Sequence, residues 1–198
     1  MKHISVAVGA VVLGACASVG GGNWVTLVDG QSGLDNWNRV GDANWRAEGG
    51  AIVADRGKGG FLVSKNAYAD FEIRVEFWAE TDTNSGLFIR CATPTNPGSL
   101  GSCYEINISD PHATTPTGGI VGVHSTLPYR VKSAGKWSRF DVLADGTHLV
   151  VKVNGETLTD VNDDKFREGA LGLQAGGPTG SGPIKFRNIR IRPLRVTK

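Results

Sequence analysis

Two stretches of the sequence, residues 84–90 and 103–112, carry polar side chains that could bind and cleave a sugar. Successive residues of a β-strand point to opposite faces, so a strand over the second stretch would place Glu105, Asn107 and Ser109 on one face. Carboxylate and amide groups in such a line are suited to recognising hydroxyl groups. Half-solvated antiparallel strands show the same alternation without a ligand, so the pattern alone leaves both interpretations open.

Two histidines in the same part of the chain are further candidates. His112 and His124, together with Asp110, could hold a divalent metal or transfer protons, although a loop histidine is more often simply solvated. Four tryptophans could stack on sugar rings, of which we expect one at most to touch a ligand: Trp37, Trp45, Trp78 and Trp137.

Several function classes are not supported by the sequence. It contains no G-x-S-x-G elbow, Walker loop, H-E-x-x-H motif or dinucleotide fingerprint. The 21 basic and 19 acidic residues nearly balance, so no nucleic-acid partner is expected. The arginines near the end of the chain have the spacing of a solvated strand face: Arg187, Arg190, Arg192 and Arg195.

The three cysteines divide into two groups. Cys91 and Cys103 flank a loop rich in Pro, Gly, Ser and Asn and lack the C-x-x-C spacing of zinc sites, so in an oxidising compartment they are predicted to form a disulfide. Cys16 follows a basic start and an uncharged apolar run, and the 13–16 sequence LGAC resembles the lipobox of bacterial lipoproteins.

This N-terminal pattern predicts three segments. Residues 1–15 would be a signal peptide, 16–22 a flexible tether lipidated on Cys16, and 23–198 a single domain. The protein would then be exported and held to a bacterial membrane by its lipid, facing the periplasm or the cell exterior. The alternative is ordinary secretion, because Ala15-Cys16-Ala17 also has the small-x-small pattern of a soluble protein's cleavage site.

The domain is predicted to be all-β. Residues 70–77 alternate strictly between charged and apolar side chains, and similar short runs recur along the chain between Gly, Asp, Asn and Pro clusters. The 145–146 Asp-Gly and 154–155 Asn-Gly pairs predict tight hairpin turns, and no segment has a sustained helical period. The expected architecture is a two-sheet antiparallel β-sandwich or jelly roll.

An ordered set of motifs extends along almost the whole predicted domain. The motifs are WVTLVDG (24–30), LDNW (34–37), YADFE (68–72), NSG (84–86), YEINISD (104–110), TGGI (117–120), AGKW (134–137), VNG (153–155), GLQ (172–174) and FRNI (186–189). On these residues the sequence resembles the 3-keto-disaccharide hydrolase domain family of exported bacterial proteins. The resemblance implies a concanavalin-like sandwich.

The resemblance also implies an activity, the cleavage of glycosides whose sugar carries a ketone at C3. A base removes the acidified C2 proton, and the C1 substituent is then eliminated before water adds. On this hypothesis Glu105 is the base, Arg90 stabilises the enolate, and Asp110 protonates the leaving oxygen or orients a partner, with His112 as an alternative to Asp110. The residues expected to contact the sugar are Asn84, Tyr104, Asn107, His112, His124 and Gln174.

Some positions depart from the family pattern. Asn107, Val121, Ser138 and Gly176 stand where Gln, Tyr, Asn and His are usual. If Cys91 and Cys103 face each other directly, Arg90 points away from Glu105 unless a bulge or a diagonal disulfide changes the register. A non-catalytic carbohydrate-binding lipoprotein module therefore remains the alternative, and a structural envelope protein the third. No cofactor is required by the sequence, although a divalent metal stays open.

Overall fold

A computed structural model of the protein describes residues 22–92, 102–176 and 182–194. The predicted signal peptide, the lipidation of Cys16, nearly all of the tether and the side chain of Arg195 lie outside the described residues. Within those ranges the structure contains no helix that is both long enough and apolar enough to cross a membrane.

The described residues form thirteen strands and one short 3-10 helix, Leu34–Asn36. The strands are β1 (Val25–Val28), β2 (Trp37–Gly41), β3 (Arg46–Glu48), β4 (Ala51–Ala54), β5 (Gly60–Tyr68), β6 (Phe71–Ala79), β7 (Ser85–Cys91), β8 (Tyr104–Ile108), β9 (Trp137–Asp145), β10 (His148–Val153), β11 (Glu156–Asn162), β12 (Gly169–Ala175) and β13 (Ile184–Pro193).

The strands form two antiparallel sheets that pack face to face. The larger sheet has the order β11-β10-β9-β6-β13-β4-β3, with β1 also paired to β13, and the smaller has the order β2-β5-β12-β7-β8. Inward-facing side chains of both sheets form one core, in which the rings of Phe77 and Phe140 lie 4.6 Å apart. The predicted all-β two-sheet sandwich is confirmed.

One of the predicted turns has the expected backbone. In the β10–β11 hairpin Val153 pairs with Glu156, and the two central residues have positive φ angles, 52° at Asn154 and 91° at Gly155. This conformation suits the Asn-Gly pair because it requires residues that tolerate the left-handed region. β1 and β13 also pair, which joins the two ends of the domain. The short strands β2, β3 and β11 were not predicted.

The edge segment, residues 109–136, runs along the outer edge of β8. The Asn107 N–H donates to the Gly119 carbonyl at 3.0 Å, and the Val121 N–H donates to the Glu105 carbonyl at 2.9 Å. On its other side this segment reaches the larger sheet, where the Thr159 hydroxyl donates to the Gly118 carbonyl at 2.8 Å. The edge segment therefore links the free edges of the two sheets.

Candidate active site on the outer face of the small sheet

Strand register places Glu105 at the end of a row that crosses the smaller sheet. The paired residues, from β2 to β8, are Asn38, Val63, Gly172, Phe88 and Glu105. Neighbouring strands are about 4.8 Å apart, so this row spans about 19 Å. The side chains of Val63 and Phe88 belong to an apolar cluster separate from the core between the sheets. The row therefore lies on the outer face of the small sheet.

The outer face is unusually apolar beside Glu105. Phe61 and Phe88 meet edge to face with their centroids 5.4 Å apart, and with Val63 and Cys91 they form a cluster whose members are at most 8% exposed. This cluster was not predicted from the sequence. Its signal is the unbroken apolar run in β5 and β7, since a strand buried on both faces loses the alternation of a half-solvated one.

Glu105 lies over a glycine in this apolar surface. A Cβ atom at Gly86 would be 3.2 Å from Oε1 of Glu105 and 3.1 Å from the ring of Phe88. No described residue forms an ion pair with Glu105. Burial without a compensating charge raises the pKa of the Glu105 carboxyl to about 7. At neutral pH this group can therefore both accept and release a proton.

Two side-chain amides on the same outer face have buried oxygens without hydrogen-bond partners among residues 22–92, 102–176 and 182–194. These are Oδ1 of Asn107 and Oε1 of Gln174. The other end of the Asn107 amide is fixed, because Nδ2 donates to the Thr115 carbonyl. A buried acceptor without a donor is costly, so these two oxygens are suited to receiving hydroxyl donors from a ligand.

The structure does not bring Arg90 to Glu105, although the predicted role in enolate stabilisation would place the two side chains together. The guanidinium is fully buried and donates to the carbonyls of Ala69, Gly146 and Phe166 at 2.8 to 3.1 Å. It also pairs with Asp70 at 3.2 Å. These partners hold Arg90 at one end of the core, between the two sheets.

A β-bulge explains the direction of Arg90. Four residues of β7, Phe88 to Cys91, lie opposite only three of β12, Ala170 to Gly172, and Arg90 has a φ of 54°. The extra residue turns the Arg90 side chain inward while Cys91 reaches Cys103 on the neighbouring strand. The predicted disulfide is confirmed, with a Cα–Cα distance of 4.3 Å.

Tyr104 and Asp110 also have structural positions in place of the predicted site roles. Tyr104 points into the core, and its hydroxyl donates to Oδ1 of Asp163 at 2.6 Å. Asp110 accepts four hydrogen bonds within the edge segment, from the Thr117 hydroxyl, the Ser133 hydroxyl and the N–H groups of Ser133 and Ala134. Its carboxylate therefore orders the loop.

The two histidines are not joined into a metal centre. Nδ1 of His112 accepts from the Thr115 N–H at 3.0 Å, which occupies that nitrogen within the loop. His124 pairs through its backbone with Ile120, and its side chain is half-buried. Among residues 22–92, 102–176 and 182–194, no cluster of three or more His, Cys, Asp or Glu side chains could hold a metal ion. Asn84 is half-buried two residues before Gly86.

The outer face of the large sheet has a different character. Arg187 pairs with Glu76 at 2.7 Å and lies over the ring of Trp137, with 3.9 Å from its guanidinium carbon to the ring centroid. Arg192 pairs with Glu72 at 2.6 Å, and its guanidinium carbon lies over the ring of Trp24, 5.1 Å from the ring centroid. Trp37 and Trp45 are buried, and Trp78 packs against Lys185 on this large-sheet face. None of the four candidate tryptophans belongs to the apolar cluster beside Glu105.

Comparison with known proteins places this sandwich among galectin-like folds. A galectin-like protein of unknown function from Bacillus subtilis superposes with a TM-score of 0.61 at 13% identity, covering 85% of this chain and 94% of its own. The carbohydrate-binding module CBM66 from B. subtilis has a TM-score of 0.57 at 16% identity, covering 78% and 93%.

The sequence itself defines the family. Residues 23–192 match the 3-keto-alpha-glucoside-1,2-lyase-like domain, and the chain belongs to this family. A candidate glycosyl hydrolase from Parabacteroides distasonis ATCC 8503 is 25% identical, with a TM-score of 0.68 over 86% of this chain and 99% of its own. No curated protein matches the chain.

Proposed function

We propose that this protein cleaves 3-keto glycosides by elimination across C1 and C2 of the oxidised sugar, with Glu105 as the base. The observation that carries the proposal is a single carboxyl group beside an apolar cluster on the outer face of the small sheet, with its pKa raised by burial to about 7. Family membership supports the reaction type, since it is that of 3-keto-alpha-glucoside-1,2-lyase-like domains.

The reaction requires one base and no external oxidant. The ketone at C3 acidifies the C2 proton, which moves to Glu105 as an enolate forms. The enolate electrons then form the C1=C2 double bond, the C3 carbonyl re-forms, and the C1–O bond breaks. The departing oxygen takes a proton from water. Addition of water across C1=C2 would complete a hydrolysis.

The surroundings of Glu105 suit this task. A carboxylate with an ordinary pKa is a weak base, whereas one with a pKa near 7 is stronger and is still about half ionised at neutral pH. The amide oxygens of Asn107 and Gln174 would accept hydroxyl groups of the sugar, and the ring of Phe88 would pack against its apolar face.

The direct test is release of the aglycone from a chemically prepared 3-keto glucoside, followed by deuterium exchange at C2. We expect Glu105→Gln to lower kcat/KM at least about a thousandfold, because an amide cannot accept the proton. The matched control is Glu80→Gln on the exposed surface, which should retain full activity. Full activity of Glu105→Gln would refute the assignment. No release by the wild type, together with glycan binding, would favour a carbohydrate-binding module.

We further propose that the protein is exported and anchored by a lipid on Cys16, as its N-terminal sequence predicts. Labelling of cells with a radioactive fatty acid should mark the wild type and not Cys16→Ser. Label that persists on Cys16→Ser would contradict the anchor. Secretion of an unlabelled wild-type protein would instead support the soluble alternative.

A further inference from the structure

A groove of about 430 Å³ lies between the end of the edge segment and the β10–β11 turn. Its lining includes Tyr129, Arg130, Lys132 and Lys136 from the edge segment and Glu156 from the turn. None of these residues belongs to the apolar cluster or the strand row that surrounds Glu105. The groove is therefore a distinct surface of the protein.

The groove is positively charged. Three cationic side chains line it against one carboxylate, that of Glu156. Neither Lys132 nor Lys136 forms an ion pair with any residue in the described ranges. The Glu156 carboxylate is already engaged, because it accepts a hydrogen bond from the Tyr129 hydroxyl at 2.8 Å. The three cationic groups outnumber this carboxylate, so an anionic ligand would meet a net positive field.

Arg130 is held in a fixed position at this groove. One of its terminal nitrogens, Nη1, donates to the carbonyls of Asp110 and His112, each at 2.9 Å. The Nε and Nη2 donors have no hydrogen-bond partner among the described residues. A planar guanidinium with free donors matches the two oxygens of a carboxylate. Because the Arg130 side chain is already ordered by the two carbonyls, little conformational entropy would be lost when a ligand binds.

Tyr129 supplies an aromatic surface at the same place. Its side chain is 49% exposed, although its hydroxyl is anchored on Glu156. An aromatic ring that is held at the surface offers a flat face for the C–H groups of a sugar ring, at little cost in conformational entropy. The groove thus combines a stacking platform with positive charge.

We propose that this groove binds an acidic glycan, a chain of sugars that carry carboxylate groups. Arg130 and the two lysines would pair with the carboxylates, and Tyr129 would stack on a sugar ring. A concave groove fits a glycan chain, whereas a bilayer presents a flat surface that cannot enter it. The site would hold the protein on polysaccharide independently of cleavage at Glu105.

The test is calorimetric titration of the full chain with tetragalacturonate, and with a neutral galactose tetramer as the uncharged probe. We expect binding of the acidic oligomer only, weakened about tenfold or more by Lys132→Glu and by Tyr129→Ala, and weakened by added salt. The matched control is Lys58→Glu, the same charge reversal at an exposed residue outside the groove, which should change affinity less than about twofold.

Each outcome decides the proposal. An equal loss of affinity in Lys58→Glu and Lys132→Glu would show that the effect comes from net charge, and it would overturn the proposed site. Equal binding of the neutral oligomer, or no binding of either, would also overturn it. If Lys132→Glu lost affinity only for vesicles of anionic phospholipid, the groove would be a membrane contact instead. Glu105→Gln should bind tetragalacturonate like the wild type, which separates this proposal from the catalytic one.

Discussion

Glu105 and Arg90 lie on adjacent strands of the small sheet, but the protein buries their charged groups in opposite ways. Arg90 is surrounded by three carbonyl acceptors and pairs with Asp70. Glu105 is set among apolar side chains, with no ion-pair partner in the part of the chain that the structure describes. A buried charge whose hydrogen bonds are all made is compatible with a stable fold. A buried carboxylate without a partner has a raised pKa, which gives it the proton affinity that a base needs. The strand pair therefore separates a structural charge from the proposed base.

The largest effect on stability should come from removing the buried charge of Arg90. Arg90→Met would leave buried carbonyls without donors, so we expect a loss of about 3 to 5 kcal/mol in the free energy of unfolding. Urea denaturation would measure it. Activity per folded molecule at low temperature should stay within a few fold of wild type. A stable variant that has lost its activity would restore the catalytic role for Arg90.

At Glu105 we expect the opposite effect, because removing this charge should raise the free energy of unfolding. The pKa rises from its ordinary 4.5 to about 7 on folding, so the folded state holds the proton more tightly than the unfolded chain does. The resulting destabilisation is absent below about pH 4.5, grows as the pH rises towards 7, and then levels off at about 3 kcal/mol or less. Glu105→Gln should therefore be more stable than wild type at pH 8 and similar at pH 4. Equal stability at both pH values would show that Glu105 titrates normally.

The same pKa predicts the pH dependence of cleavage. Because the base must be ionised, kcat/KM should rise with pH through a midpoint near 7 and reach a plateau above it. A profile measured from pH 5 to 9 would test this expectation. A midpoint near 4.5 would mean that the carboxyl is solvated in the working enzyme.

Gly86→Ala tests the space that Glu105 occupies. The new methyl group would lie 3.1 to 3.2 Å from Phe88 and Glu105, so one of them must move. We expect a loss of about 1 to 2 kcal/mol in stability from overpacking, and about a tenfold fall in kcat from the displaced base. Denaturation and initial-rate measurements on the same preparation would separate the two effects. An unchanged kcat would show that the position of the carboxyl over Gly86 is unimportant.

The smallest effect is expected on the outer face of the large sheet. Arg187→Ala removes an ion pair with Glu76 and the contact with Trp137. Partly exposed pairs of this kind contribute about 1 kcal/mol or less, so stability should change little and cleavage not at all. A large loss of cleavage would mean that this face also contributes to the reaction.

The sequence was informative where a side chain's role depends on its own strand. Alternation in β6, the Asn-Gly turn at 154–155 and the cysteine pair each led to the structure observed. The same alternation placed Glu105 and Asn107 on one face of β8, which the register supports.

The sequence was misleading where a side chain's role depends on a distant part of the chain. The direction of Arg90 depends on a bulge against β12, and its partners come from three separate turns. The structural role of Asp110 depends on the N–H groups of Ser133 and Ala134, more than twenty residues away, which donate to its carboxylate. The apolar cluster likewise combines β5 with β7: the apolar run of each strand indicates burial on both faces, but it does not show which strands contribute to the cluster.

The edge segment has a consequence for how copies of the protein behave in a crowded compartment. An uncovered strand presents free N–H and C=O groups that can recruit a strand from another molecule and begin a fibre. Along β8 those groups are taken by residues 118–121 of the same chain. If the proposed anchor concentrates the protein on a surface, its copies meet often, and the covered edge of β8 would guard against self-assembly through that strand.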